Sequence, residues 1–200
     1  MDYNLCDYNT VKKILSAHGF NFSKALGQNF IIDDSICPAM AEMLGADEKT
    51  GVLEVGPGVG VLTKELCKRA GKVVSVELDE RLYPVLEQTM ADYDNFELVK
   101  GDVMKIDLHA LIAEKFADCD EVKICANLPY YITSPVIMML LQSKLPITEI
   151  EVMVQQEAAE RLCAPIGSRE AGAVSVAVNY YGESEILFNV GRECFMPSPK

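Results

Sequence analysis

Apolar positions along the chain fall into short β-branched runs, each followed by a turn and then by a segment whose apolar residues recur at helical spacing. The runs at 52–55, 73–77, 96–99, 122–126 and 150–154 are bounded by Gly, Asp or Asn and predict strands. Between them, 61–69, 81–90, Leu108–Lys115 and 135–142 predict helices, the last opened by Ser134 as N-cap with Pro135 at the first helical position. Alternation of this kind implies right-handed crossovers. The predicted fold is therefore α/β: a doubly wound, mostly parallel sheet with helices on both faces, Rossmann-like in architecture.

Ahead of the first strand, Val11, Ile14, Leu15 and His18 share one face of a helix over 10–19 that Gly19 stops, and 35–44 predicts a second helix. His18 reads as a packed or half-exposed helix residue. In the tail, Val174, Val176 and Val178 alternate as in a strand, yet Ala173–Tyr181 is long enough for a helix, and periodicity leaves both open. Residues 185–190 predict a strand.

Length changes little in this picture: 200 residues are one full-sized domain and little more. With 50% hydrophobic and 24% charged residues the composition excludes a disordered, collagenous or coiled-coil chain. No membrane span is predicted, because the longest apolar run, 136–141, is far short of the roughly 20 residues a bilayer needs, and the first residues lack the basic stretch of a signal peptide. Charge matters more. Eighteen Lys and Arg against 30 Asp and Glu leave −12, which argues against free duplex binding but not against a nucleic-acid substrate gripped by another domain or partner. The seven cysteines, at 6, 37, 67, 119, 125, 163 and 194, form no C-x-x-C pair, and with only His18 and His109 beside them no metal site is expected. They read as buried thiols in a reducing cytoplasm.

In an open parallel sheet a ligand sits beyond the carboxyl ends of the strands, so the residues after each strand carry the chemistry. The first strand runs into Glu54-Val55-Gly56-Pro57-Gly58-Val59-Gly60, whose glycines let backbone approach a ligand that a Cβ would exclude. A dinucleotide fingerprint would place its third glycine at 61, which is Val61. A plain strand-to-helix turn explains the glycines equally. Glu77 closes the second strand, where a carboxylate accepts both hydroxyls of a ribose; a solvated strand-end acid is the simpler alternative. Asp102 follows the third strand, placed either to accept from an adenine amine or to cap a turn. Together the three describe a pocket for an adenosine-bearing cofactor.

After the fourth strand stands Asn127-Leu128-Pro129-Tyr130. An exocyclic adenine amine is a poor nucleophile because its lone pair is delocalised into the ring. The Asn127 side chain and the Leu128 carbonyl offer acceptors for its two hydrogens, favouring a pyramidal nitrogen whose lone pair faces an electrophilic methyl. Pro129 stiffens the loop, and Tyr130 presents a ring on which an extruded base stacks.

These residues are where the sequence resembles a known family. It is similar, from about residue 22 onward, to the small-subunit ribosomal RNA adenine N6,N6-dimethyltransferases, which use S-adenosyl-L-methionine. The likeness rests on Ser23-Lys24-Ala25-Leu26-Gly27-Gln28-Asn29-Phe30, the glycine run, Val76-Glu77-Leu78-Asp79, Gly101-Asp102, Asn127-Leu128-Pro129-Tyr130, the block from Met153 through Gln155-Gln156-Glu157 to Leu162, and Phe195-Met196-Pro197-Ser198-Pro199-Lys200. The resemblance implies Asn29 and Ile31 over the cofactor, Gly56 beside its amino-acid part, Glu77 on the ribose, Asp102 on the adenine and Asn127 at the transferred methyl. It implies Tyr130 and Phe195 on either side of the target adenine, although Phe195 alone reads equally as a core aromatic. It also favours helix over strand for Ala173–Tyr181. The chain departs from the family pattern at Ala171-Gly172, where an aromatic-Gly pair usually stands.

The implied partner is small-subunit ribosomal RNA, probed as naked RNA or within a pre-ribosomal particle, by a cytoplasmic monomer with no membrane or metal requirement. A helical N-terminal segment, 1–50, would act as a cofactor lid on an α/β core, 51–200. The family's final strand and its C-terminal helical domain are expected to be missing from this chain, leaving 185–190 beside an unfilled gap in the sheet. Alternatives are a large-subunit rRNA adenine N6-methyltransferase of the macrolide-resistance type, a non-catalytic RNA-binding or assembly protein on the same fold, and an NAD-dependent dehydrogenase, which leaves Asn127-Leu128-Pro129-Tyr130 unexplained.

Overall fold

Five of the apolar runs become one parallel sheet in the computed structural model, which describes residues 3–20 and 29–199. Most of the Ser23-to-Phe30 block, and Lys200, lie outside the described residues. In chain order the elements are α1 (Tyr8–Ala17), β1 (Phe30–Ile31), α2 (Ile36–Met43), β2 (Thr50–Val55), α3 (Val61–Cys67), β3 (Lys72–Glu77), α4 (Tyr83–Thr89), β4 (Phe96–Lys100), α5 (Leu108–Lys115), β5 (Glu121–Asn127), α6 (Thr133–Gln142), β6 (Glu149–Met153), α7 (Gln156–Leu162), α8 (Ala173–Tyr181) and β7 (Phe195–Met196).

The sheet order is β4-β3-β2-β5-β6, every pair parallel. The chain winds outward from β2 to β4, then returns to the other side of β2 for β5 and β6. That reversal places a crevice between β2 and β5 at their carboxyl ends. Successive strand residues face opposite ways. Val52, Val73 and Cys125 join the apolar faces of α1 to α4, whereas Leu53, Val74, Ile124 and Ala126 join those of α5, α6 and α8. All six residues of β2 are buried, as a strand covered on both faces requires.

Local chemistry sets the helix ends. The Asp7 carboxylate accepts from the Thr10 amide at 2.7 Å and opens α1, whose Val11, Ile14 and Leu15 pack inward. Gly19, at φ +65°, ends it. Asp107 caps α5 in the same way, accepting from Ala110 at 3.0 Å. Residues 173–181 form a helix rather than a strand: Val174 and Val178, one turn apart, are buried together while Val176 is exposed. Ser175 locks its start, accepting from the Gly172 amide at 3.0 Å and donating to the Arg161 carbonyl at 2.6 Å.

Three expectations change. Residues 185–190 form no strand; they do not pair with β6, which is the end strand of the sheet, and the described tail instead pairs at β7, antiparallel to β1. Side-chain alternation alone does not make a strand when no ladder partner is within reach. The α6 helix begins at Thr133 with Ile132 at the cap, so Ser134 is not the cap and Pro135 is the third helical residue. Proline is tolerated there because first-turn amides have no intrahelical partner. The single helix expected over 81–90 splits into a 3-10 turn, Glu80–Leu82, and α4, with Pro84 in the first turn of α4. Arg81 is occupied differently: its amide, Nε and Nη2 all reach the Asp79 carboxylate.

Candidate active site

The glycine run bends because it alternates left-handed residues: Gly56, Gly58 and Gly60 have φ of +72°, +63° and +92°. A Cβ on Gly56 would meet no atom within 4 Å, so the backbone there faces open space, whereas one on Gly58 would come within 3.1 Å of the Phe30 ring. The missing glycine at 61 costs nothing, since Gly60 itself caps α3 and Val61 begins it, buried. Around this loop a cleft of about 1170 Å³ is lined by Asn29, Ile31, Gly56, Glu77, Asp102, Asn127, Leu128, Pro129, Tyr130 and Phe195. All ten candidate positions thus border one cavity, which also runs along β6 and residues 182–192.

Glu77 ends β3 and is 6% exposed. Its Oε2 accepts from the Gly58 amide at 3.2 Å and its Oε1 from the Asp79 amide at 2.8 Å. Burial, with the nearby Asp79 carboxylate, pushes its carboxyl up to about 7 despite those two bonds. Each carboxylate oxygen has a second lone pair, so acceptor capacity remains. Asp102 is more occupied: Oδ1 accepts from the Met104 amide at 3.0 Å and Oδ2 pairs with the exposed Lys105 ammonium at 3.4 Å, the turn-capping arrangement.

Asn127 is the last residue of β5, opposite Met153, and its side-chain amide makes no hydrogen bond among the described residues. The Leu128 side chain is buried in the core, and its amide donates to the Met153 carbonyl at 3.0 Å. The Pro129 carbonyl accepts from the Ile132 amide at 3.1 Å and the Thr133 hydroxyl at 3.2 Å, which turns the chain into α6. Tyr130 is half-buried, and burial raises its phenol. The β1–β7 ribbon sets Ile31 opposite Phe195. Phe195 is half-buried and packs against the core that also holds the buried Ile31.

Several participants escape a reading of motifs. Phe30, between the two expected lid residues, packs on Gly58 and, at 6.2 Å between centroids, against Phe20, over which the Arg81 guanidinium lies. Tyr131 stands at the cleft mouth, and partial burial, with the Asp102 and Glu77 charges, raises its phenol. Glu54 and Glu151 are buried carboxyls in one cross-strand row, Ser75–Glu54–Cys125–Glu151. An acid inside an apolar strand was the available signal for both. Among the described residues no group of three His, Cys, Asp or Glu could hold a metal, and no helix is long and apolar enough to cross a membrane. All seven cysteines are free, three of them buried and four half-buried.

Known proteins resemble the chain in sequence and in fold. The chain is 48% identical over 188 residues to ribosomal RNA small subunit methyltransferase A of Bacillus licheniformis, covering 94% of this chain and 64% of that one, with the same figures for the Geobacillus thermodenitrificans protein. It therefore spans a little under two thirds of the length of these relatives. Among solved structures it resembles a dimethyladenosine transferase from Plasmodium falciparum, with a TM-score of 0.72 at 29% identity over 85% of this chain and 59% of that one. The 23S rRNA methyltransferase ErmE matches with a TM-score of 0.72 at 28% identity over 86% of this chain and 65% of that one. The sheet is accordingly the Rossmann-like sheet of class I methyltransferases. The ribosomal RNA adenine dimethylase model matches residues 19–200, from the end of α1 through every strand that borders the cleft, and the chain belongs to that family.

Proposed function

We propose that this chain is the methyl-transfer domain of an S-adenosylmethionine-dependent enzyme that dimethylates N6 of adenines in small-subunit ribosomal RNA. The observation that carries the reading is the convergence, on one cleft, of an open glycine turn, a buried strand-end carboxylate and an Asn side chain with no hydrogen-bond partner among the described residues. The residues fit the cofactor: backbone at Gly56 faces open space where a Cβ would intrude, and Glu77 keeps lone pairs for two hydroxyls.

In this proposal Gly56 lies beside the amino-acid part, Glu77 holds the ribose, Asp102 accepts from the adenine, and Asn29 and Ile31 cover the ligand as part of a lid formed by residues 1–50. Bound there, S-adenosylmethionine supplies an electrophilic methyl. Asn127 and the Leu128 carbonyl accept from the two N6 hydrogens of the target adenine and turn its lone pair toward that methyl. Tyr130 and Phe195 stack on the two faces of the base, which an enzyme of this kind must first take out of its helix. The N6 lone pair takes the methyl as its bond to the cofactor's sulfur breaks with the electron pair left on sulfur. N6 then loses one proton to water, and spent S-adenosylhomocysteine is exchanged for fresh cofactor before the second round.

The partner is small-subunit ribosomal RNA within a particle, and the enzyme acts as a cytoplasmic monomer. The relatives' names favour the small over the large subunit. The test is transfer of labelled methyl groups to small-subunit particles lacking the modification, followed by nucleoside analysis. Dimethyladenosine in the small-subunit RNA is the expected product. Modification of large-subunit RNA alone, or S-adenosylmethionine binding without any transfer, would overturn the assignment.

A further inference from the structure

Glu54 is 1% exposed, lies two residues before the first glycine of the loop, and takes no part in the proposed chemistry. Its Oε2 accepts from two hydroxyls, Thr63 at 2.7 Å and Ser75 at 2.5 Å. Thr63 sits in the first turn of α3, just beyond the loop, so the first bond closes the loop at its base. Ser75 is on β3, on the same face as Glu77 and two residues before it. The Gly58 amide, at the loop tip, donates to Glu77. These bonds form a closed ring: Glu54 to Thr63, through the loop to Gly58, across to Glu77, back along β3 to Ser75 and to Glu54.

A ring is needed because three left-handed glycines give the loop little conformational preference of its own. Backbone bonds help only in part: Gly56 donates to Val76 and Gly60 to Pro57, while the Thr89 hydroxyl holds the Val59 carbonyl. A leucine at 54 would fill the strand's inner face with no carboxyl to desolvate, and replacement of buried polar groups by apolar ones is often neutral or stabilising. Overall stability therefore does not account for an acid at this place. Position does, because a carboxylate oxygen accepts two donors from two different elements at once.

We infer that Glu54 is a positioning residue, a clasp behind the glycine loop that fixes the Gly58–Glu77 geometry on which cofactor affinity depends. The affinity half of this statement rests on the cofactor reading above; the clasp does not. Hydrogen exchange without ligand tests the clasp alone. Thr63→Val, which loses one net hydrogen bond, should speed exchange of the Gly56, Gly58, Val59 and Gly60 amides by about tenfold, and Glu54→Leu by at least as much, while leaving β4 amides unchanged. Glu54→Gln keeps an acceptor and should stay within about threefold of the parent. Titration with S-adenosylhomocysteine should show affinity falling roughly five- to thirtyfold in Thr63→Val and Glu54→Leu, with the double variant no weaker than Glu54→Leu. Should Glu54→Leu fail to fold, Thr63→Val carries both measurements. Unchanged loop exchange in Thr63→Val, or losses that simply add, overturns the clasp. If the parent chain does not bind S-adenosylhomocysteine, the cofactor reading falls and exchange still decides the clasp.

Discussion

Phe195 stands directly opposite Ile31 in the antiparallel β1–β7 ribbon, so the segment proposed to cover the cofactor and the ring proposed to cover the target base are backbone neighbours. Next to this bridge the Ile32 amide donates to the Cys194 carbonyl at 2.8 Å. Phe30, one residue earlier, packs on Gly58. A line of contact thus runs from the tail, through the ribbon, to the tip of the glycine loop.

Removing base contacts should separate binding from transfer. Asn127→Ala and Tyr130→Ala are expected to leave S-adenosylmethionine affinity nearly intact and to lower transfer efficiency, Tyr130→Ala by the roughly 1–3 kcal/mol of one base stack. Calorimetry on cofactor and single-turnover methylation of particles read the two quantities apart. Wild-type turnover in either variant would remove it from the base site.

Glu77 predicts a pH profile. Its carboxyl titrates at about 7 in the free protein because burial disfavours the charge, and it accepts two ribose hydroxyls best when ionised. Cofactor affinity should therefore rise with pH through about 7 and level off above it. Glu77→Gln should flatten that rise and weaken binding at pH 8 by on the order of 1.5–3 kcal/mol, the worth of one charge-assisted bond. Equal affinity of parent and variant at pH 8 is the outcome that excludes this role.

Glu151 predicts a stability gain. It is 6% exposed on β6, and neither carboxylate oxygen has a hydrogen-bond partner among the described residues; burial and the Glu149 charge push its carboxyl up to about 7. The folded value lies above the ordinary one of 4.5, so the folded state holds the proton more tightly. The group carries no ionisation penalty below about pH 4.5, a growing one up to about 7, and a constant one beyond. Glu151→Gln should stabilise the protein by on the order of 1–2 kcal/mol at pH 8 and by little at pH 5, seen as denaturant midpoints. A larger gain at pH 5 would contradict the sign.

Gly58→Ala should be destabilising on two counts, its φ of +63° and a Cβ 3.1 Å from the Phe30 ring. A left-handed alanine alone costs roughly 1–2 kcal/mol. Thermal unfolding of the variant checks this: a loss no larger than the backbone cost would show that Phe30 moves freely, and a melting temperature equal to the parent's would contradict both counts. Gly56→Ala, with open space around its Cβ, should show only the backbone cost and a further loss of cofactor affinity.

The parallel α/β architecture and the course of each strand of the main sheet were legible in the residues alone, because each buried strand needs a short apolar run and each crossover an amphipathic helix. It also located the strand-end residues, since a parallel sheet puts the carboxyl ends of its strands on one side. The tail resisted: 185–190 has the alternation of a strand but no ladder partner, and the two residues that do pair, Phe195 and Met196, find theirs in Phe30 and Ile31 at the other end of the chain. That pairing emerged only with the folded chain, as did the meeting of Glu54, Thr63 and Ser75 on one oxygen. The reason is common to both. Periodicity reports which face of an element is buried, whereas a hydrogen bond between distant elements depends on sheet register and helix placement, which no local pattern encodes.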